Sequence, residues 1–291
     1  MNEISFNQKD LKSHAANIRR SILRIAEQSS GPSHIGGSFS IVEILTYLYG
    51  HYLNIKIDDP RWIQRDRFIL SKGHAALGFY VALTEFGIMP ESVLESYKKD
   101  ESKIIAHPIQ DLDFGIESSN GSLGHGLAFG VGLAWATRAK NQESRVVVLL
   151  GDGECNEGSV WEAALMAAAQ KLESLTVFVD YNKWQATGRS NEVLGLAPLA
   201  DKWAAFGWFV HEIDGHDFSA IEAAVAARDE LKRPKIIVAH TVKGKGVSFM
   251  EEDNNWHYRI PTADEVRKAA VELQIPAESI RLDGLAPRTH E

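Results

Sequence analysis

Apolar residues recur along this chain with two different periods, and the alternation between them predicts the architecture. Leu11, Ala15, Ile18, Ile22 and Ile25 fall at steps of four and three, the spacing of one helix face, and predict an amphipathic helix over residues 8–28. The turn Ser29-Ser30-Gly31-Pro32 ends it. A second helix is predicted over Ser40–Tyr49 and a short strand over Arg65–Ser71. Val146–Leu150 and Leu175–Asp180 are apolar, β-branched runs of buried-strand length. A helix over about Ser159–Lys171 fits between them. Trp208–Ile213 and Lys235–His240 read as further strands, separated by a helix over Phe218–Leu231 with Asp217 as its cap. Strands alternating with helices predict an α/β fold, a parallel sheet with helices on both faces.

The segment Gly124–Ala139 reads as a helix although it carries Gly126, Gly130 and Gly132, each costing about 0.8–1 kcal/mol against alanine inside a helix. Something must approach its backbone closely, either the sheet or a helix crossing at a subunit interface. It is too short for a membrane span and is flanked by His125 and Arg138.

Nothing in the 291 residues suggests a linker, so one domain is expected over residues 1–291, and only Gly284–Glu291 reads as a candidate for disorder. A net charge of −8 argues against a general nucleic-acid or anionic-membrane surface, leaving small molecules or proteins as partners. The sole cysteine, Cys155, can form no intramolecular bridge, and its acidic neighbours disfavour a thiolate. Met1–Asp10 lacks the apolar core of a signal peptide and no apolar run reaches membrane-spanning length, so a cytoplasmic enzyme is expected.

The candidate chemistry lies where the Val146–Leu150 strand hands over to Gly151-Asp152-Gly153, since strand ends are where open α/β sheets bind phosphates. A dinucleotide fingerprint would need glycine at position 156, which is Asn156. Asp152 is more telling. A carboxylate in a phosphate-binding loop repels a diphosphate unless a cation neutralises both, and Mg²⁺ suits such a site through its hard oxygen ligands. Asn182 offers an amide oxygen 30 residues later at the end of the second buried strand, enough for a crossover that brings both oxygens to one edge of a parallel sheet. Taken alone, the pair is also compatible with a helix-capping Asp and a strand-terminal Asn.

Gly-Asp-Gly followed by Asn182 resembles the thiamine diphosphate signature of transketolases, 2-oxoacid dehydrogenases and decarboxylases. Four further stretches narrow the resemblance: Ser33-His34-Ile35-Gly36-Gly37, Asp66–Ala75 ending in Ser71-Lys72-Gly73-His74-Ala75, Ile104-Ile105-Ala106-His107-Pro108 and Asn255-Trp256-His257. Each is similar to a histidine motif of the transketolase family, in family order, and Gly121-Ser122-Leu123-Gly124-His125-Gly126 resembles its Gly-Pro-Leu-Gly-Gln-Gly segment. The resemblance spans residues 10–260. His125 for glutamine and Ile35 for proline are departures that leave the substrate open.

By this resemblance the cofactors are thiamine diphosphate and Mg²⁺, or another divalent cation such as Ca²⁺ or Mn²⁺. Asp152, Asn182 and the Trp184 carbonyl are expected to hold the metal. His74, Gly121, Leu123, Gly124, Gly153, Asn182 and His257 are expected around the cofactor. His34 and His107 should face the substrate hydroxyls and the reacting carbon, and all four histidines are candidate catalytic residues, because carbonyl addition generates an alkoxide that needs a donor or acid. Glu157 matches a family glutamate that links two active sites across a dimer, although an exposed carboxylate at a helix start reads equally well. Lys243-Gly244-Lys245-Gly246 resembles a loop near the cofactor, and its lysines could equally be solvated.

The family's activating glutamate belongs to a separate pyrimidine-binding domain, and only about thirty residues follow Pro261, against about 100–150 for a typical domain. The expectation is therefore the diphosphate-binding half of a split transketolase. Its partner would be a C-terminal pyrimidine-binding transketolase subunit in an α2β2 heterotetramer. Together they would transfer a two-carbon ketol unit from a ketose to an aldose, acting on sugars or sugar phosphates. An α subunit of a 2-oxoacid dehydrogenase and a non-catalytic scaffold are the competing readings.

Overall fold

Odd and even positions of the buried strands face two different cores, and that division organises the molecule. The structure, a computed structural model, describes residues 8–29 and 31–276; the tail Gly284–Glu291 lies outside the described residues. The strands are β1 (Arg67–Leu70), β2 (Val146–Gly151), β3 (Leu175–Tyr181), β4 (Trp184–Gln185), β5 (Gly188–Arg189), β6 (Phe209–Asp214) and β7 (Lys235–His240). Five of them form one sheet in the order β1-β2-β3-β7-β6, every neighbouring pair parallel, while β4 and β5 make a small antiparallel ribbon.

The helices are α1 (Gln8–Gln28), α2 (Ile35–Phe39), α3 (Val42–Tyr47), α4 (Ala76–Glu85), α5 (Glu91–Leu94) and α6 (His125–Ala139). They continue with α7 (Gly158–Ala169), α8 (Ser190–Val193), α9 (Leu199–Ala205), α10 (Phe218–Ala226) and α11 (Ala263–Glu272). Val147, Leu149, Phe178 and Ile237 pack with α1, α3, α4 and α10 in one apolar cluster. Val146, Val148, Leu150, Val177 and Val238 pack with α6, α7 and α9 in the other. The period-two alternation of a strand is what sends neighbours to opposite faces. With each fully buried Val, Leu, Ile or Phe worth about 1.5–3 kcal/mol, both layers are held by the hydrophobic effect, and the expected parallel sheet covered on both faces is what forms.

Two predicted helices differ in detail. The expected Ser40–Tyr49 helix starts earlier, at Ile35, and breaks between α2 and α3, because the Ser40 hydroxyl turns to the Gly37 carbonyl (3.1 Å) and the Asp180 carboxylate (2.8 Å). The helix expected to reach Leu231 stops at Ala226. There the Lys235 ammonium takes the carbonyls of Ala224 (3.0 Å), Val225 (2.6 Å) and Ala227 (2.7 Å), and a cation at a helix C-terminus satisfies the orphan acceptors that another turn would use. Its N-cap is as expected, the Asp217 carboxylate accepting from Ser219 N–H. The helix α6 forms over the predicted range with Gly124 as its N-cap, and its glycines split by face. A side chain at Gly126 would strike Ser71, and one at Gly130 would lie 2.5 Å from Val148 Cγ2, whereas one at Gly132 meets nothing within 4 Å among the described residues. Close approach to the sheet thus explains two of the three.

The parallel register delivers every strand's carboxyl end to one edge. Gly151 pairs with Asp180, Asp180 with Ala239, and His240 with Asp214, so the loops beginning at Ser71, Asp152, Asn182 and Thr241 emerge together. A test of the packing follows from α6. Gly130→Ala should destabilise the fold by about 1–3 kcal/mol through overpacking on Val148. Gly132→Ala should be neutral or stabilise it by up to about 1 kcal/mol, since only helix propensity changes there. Urea midpoints of the two variants read the contrast directly.

Candidate active site

The edge of the sheet is tied together by a wholly buried ion pair. Lys72, just beyond β1, directs its ammonium to the Asp180 carboxylate and to the Gly37 carbonyl (3.1 Å), and neither charged side chain has any solvent exposure. Asp180 also accepts from Ser40 (2.8 Å), Thr241 and the Asn182 amide (2.8 Å). Burial works to raise the Asp180 pKa, but Lys72 and the two hydroxyls outweigh it and hold the group below its ordinary value. The Asn182 NH₂ is spoken for by Asp180, so Oδ1 points the other way, where it accepts from Trp184 N–H (3.0 Å).

Asp152 sits beside Asn182 on the neighbouring strand end. Its carboxylate accepts from Gly153 N–H (2.8 Å), Lys183 N–H (2.7 Å) and the Ser190 hydroxyl (2.8 Å). Burial nevertheless pushes its pKa up to about 6, the Asp180 charge adding to the effect, which marks a carboxylate that would gain from a nearby cation. Two buried donors on β4, Trp184 Nε1 and Gln185 Nε2, have no hydrogen-bond partner among the described residues. A Cβ on Gly153 would lie 2.7 Å from Gln185 Cγ, so a side chain there would have to displace Gln185. One carboxylate, one amide oxygen, an adjacent main-chain carbonyl and unpaired N–H donors form a set that fits a divalent cation shared with a diphosphate. Among the described residues no cluster of three or more His, Cys, Asp or Glu could hold a metal ion, so further ligands would have to come from the phosphates and water.

Four histidines from four separate segments meet next to this loop. His34 lies 5.3 Å from His74, 5.9 Å from His107 and 5.3 Å from His257 by ring centroids, and His74 lies 5.7 Å from His257. Burial lowers the His34 pKa to about 3, helped by His257, His107 and the lysines Lys98 and Lys72. Burial and the ammonium groups of Lys243 and Lys72 lower His257 to about 4. His74 and His107 are lowered too, chiefly by burial. All four imidazoles are therefore neutral near pH 7, each with one N–H to donate and one nitrogen to accept. Lys243 settles the tautomer of one of them: its ammonium donates to His257 Nδ1 at 2.8 Å and to Asn254 Oδ1 at 3.0 Å, which leaves the His257 proton on Nε2. Lys243 is buried and its pKa falls to about 8, mainly through burial. Lys245 of the same loop is partly exposed and pairs with Glu251 at 3.5 Å.

The remaining residues singled out from sequence divide. Gly121 borders His107, at 4.0 Å from the ring measured from a built Cβ, and Leu123 is partly buried beside it in sequence. Gly124 adopts φ 84, and a side chain there would run into Glu157 Cβ at 2.7 Å. Glu157 is exposed at the start of α7. His125 is exposed at the start of α6. Cys155 is buried and its thiol is pushed well up by burial and by Glu154 and Asp152, consistent with a bystander. Lys72 lies inside the His74 motif with no role predicted for it, and Asp180 and Glu154 carry no sequence signal that marks them for the site. The last accepts from Gly124 N–H (2.9 Å), Gly151 N–H (3.0 Å) and Ser71, pinning the loop before α6 to the one after β2.

These neutral imidazoles make stability depend on pH. With folded values below the unfolded 6.5, their contribution is fully present above pH 6.5 and is lost as pH falls toward about 4 for His257 and about 3 for His34. Each imidazole can add at most about 1.4 kcal/mol per pH unit to that loss. Urea unfolding between pH 7 and 4.5 should therefore show a shallower decline for His34→Gln than for the unsubstituted protein; parallel curves would contradict the shift.

Residues 11–280 match the family model described as the transketolase, thiamine diphosphate binding domain. The chain is 40% identical over 277 residues to an apulose-4-phosphate transketolase subunit of Actinobacillus succinogenes, covering 94% of this chain and 99% of that protein. It is 39% identical over 269 residues to the 6-deoxy-6-sulfo-D-fructose transketolase subunit SqwG of Clostridium sp. strain MSTE9, covering 92% and 97%. Among solved structures, transketolase from Campylobacter jejuni superposes with a TM-score of 0.84 at 26% identity over 94% of this chain, which spans 45% of that larger polypeptide. The chain belongs to the transketolase family, matching its thiamine diphosphate binding domain over nearly its whole length.

Proposed function

We propose that this chain is the diphosphate-binding subunit of a two-polypeptide, thiamine diphosphate-dependent transketolase. The observation that carries the reading is the meeting of His34, His74, His107 and His257 beside the Asp152–Asn182 strand edge. The α subunit of a 2-oxoacid dehydrogenase would not call for these four imidazoles together. The second polypeptide is supported by relatives that this chain matches nearly end to end and that are named as subunits. We read residues 1–291 as one diphosphate-binding domain, completed by a pyrimidine-binding partner in an α2β2 assembly. No helix among the described residues is long and apolar enough to cross a membrane.

Thiamine diphosphate, when bound, supplies a nucleophilic thiazolium carbon able to hold a two-carbon fragment. Asp152, Asn182 and the Trp184 carbonyl would hold Mg²⁺. Gly153 N–H, the His257 Nε2–H and His74 would donate to the diphosphate. Gly121, Leu123 and Gly124 would line the cofactor from the loop preceding α6. Glu157, exposed beside Gly124, would face the second active site. His34 and His107 would work on the sugar: a neutral imidazole can donate to the oxygen that gains charge as the ketose carbonyl is attacked. It can also take the proton from the hydroxyl next to the carbon–carbon bond that breaks, then return it when the acceptor aldehyde arrives. Partial burial suits this role, because it keeps the imidazoles unprotonated near pH 7.

Calorimetry on the chain co-purified with its second subunit tests the assignment. Asp152→Ala should abolish Mg²⁺-dependent thiamine diphosphate binding, and an undiminished metal requirement would sink the metal site. His107→Ala should keep that binding and lower kcat by about 10²–10⁴-fold, the usual size of a proton-transfer contribution. The chain without its partner should show no ketol transfer.

A further inference from the structure

Two side chains at the rim of the histidine cluster have no role in the chemistry proposed above. Tyr258 directly follows His257, and its ring lies 4.4 Å from that of His34 at an interplanar angle of 33°. It is 49% exposed, so one part of the ring rests on an imidazole assigned to the sugar while the rest meets solvent. Lys98 stands across from it. The Lys98 Nζ is 5.9 Å from the Tyr258 ring centroid and 5.6 Å from that of Tyr97, and it donates to the Pro32 carbonyl. Its backbone is left-handed, φ 58, a conformation that long side chains adopt only when their surroundings hold them there. The hold is visible: Lys98 N–H donates to the Ile104 carbonyl at 3.1 Å, closing a loop that leads into His107. A half-buried ammonium and an exposed ring thus flank His34 and His107, where a polyhydroxylated substrate has oxygens to be read and an apolar C–H face to be covered.

We propose that Lys98 and Tyr258 are the substrate-reading pair of this site. The ammonium donates a charge-assisted hydrogen bond to a ketose oxygen next to those handled by His34 and His107, and the Tyr258 ring is a wall that limits the width of the sugar. The proposal rests on the ketol-transfer reading and deepens it. Electrostatics supports it independently of any substrate. Lys98 is among the charges that lower both His34 and His107, after burial in each case. The groups facing His34 are His74, His107, His257, Tyr258, Lys98 and Lys72, and those facing His107 are His34 and Lys98. Removing the Lys98 charge must therefore raise both imidazoles.

The test compares Lys98→Met, Lys98→Arg, Tyr258→Phe and Tyr258→Ala in the two-subunit complex. Lys98→Met should lower kcat/KM for a ketose donor by about 10–100-fold, the usual value of a hydrogen bond to a charged donor. It should also move the acid limb of the pH profile upward and leave the calorimetric affinity for thiamine diphosphate unchanged. Lys98→Arg should recover most of the loss. Tyr258→Ala should change the ratio of kcat/KM between branched and unbranched ketoses, and Tyr258→Phe, which keeps the ring, should keep that ratio. An unmoved kcat/KM and acid limb in Lys98→Met, a parallel loss of cofactor affinity, or an unchanged ketose ratio in Tyr258→Ala would overturn the proposal. A complex that binds no thiamine diphosphate and transfers no ketol unit would instead defeat the underlying function. NMR titration of the imidazoles in the full chain then still decides about Lys98, since no rise of His34 and His107 in Lys98→Met would refute it.

Discussion

The buried pair between Lys72 and Asp180 is the constraint on which the site depends. Both groups are fully removed from water, a state whose desolvation cost is offset only by good geometry and by hydrogen bonds to the remaining acceptor sites. Asp180 meets that condition through Ser40, Thr241 and Asn182. Each partner comes from a different element: the loop after β1, the break between α2 and α3, the end of β3 and the loop after β7. Removing one member of such a pair typically costs about 3–5 kcal/mol because it strands the other charge. The pair therefore does more than stabilise. It fixes which way the Asn182 amide points, and it sets a positive charge beneath His74, His34 and His257.

From that knot the chemistry follows in two directions. Toward the Asp152 loop, an amide locked by its NH₂ group leaves an oxygen facing Trp184 N–H, beside a carboxylate that burial has made reluctant to stay ionised alone. Toward the histidine cluster, burial and neighbouring ammonium groups keep four imidazoles neutral. A cluster of mutually close histidines would repel one another if protonated, and keeping them neutral lets them share a small volume. Lys72 and Lys243 belong to both halves, acting on the acidic loop and on the imidazoles alike.

Glycines carry the other part of the design. Gly73 must lack a side chain because a Cβ there would collide with the Asn120 carbonyl, and Gly36 because the Trp256 carbonyl lies 2.9 Å from the same point. These are places where loops bearing different histidines cross, His74 against the Gly121 loop and His34 against the segment of His257. Close crossing of bare backbones is what allows rings from distant segments to approach within 6 Å.

Much of the frame was legible in the sequence, because its signals are local. β-branched runs gave β2, β3 and β7 to within a residue, since a strand buried on both faces needs apolar residues at every position. The Asp152–Asn182 pairing follows from a strand–helix–strand unit, in which parallel register leaves both residues on one edge. The helix α4 was not legible for the opposite reason: Ala76 to Leu83 are all buried, so no polar stripe marks a period. What only the tertiary structure decided are contacts without a sequence neighbour. Lys72 and Asp180 are 108 residues apart, and Lys243 looked as suited to solvent as to the site until burial placed it on His257. Tyr258 against His34 is another such contact. Residue type and spacing determine which elements form and which edge they share. The protonation states and side-chain orientations that make the edge reactive depend on burial and on charges brought near by folding, and neither quantity exists until the chain has packed.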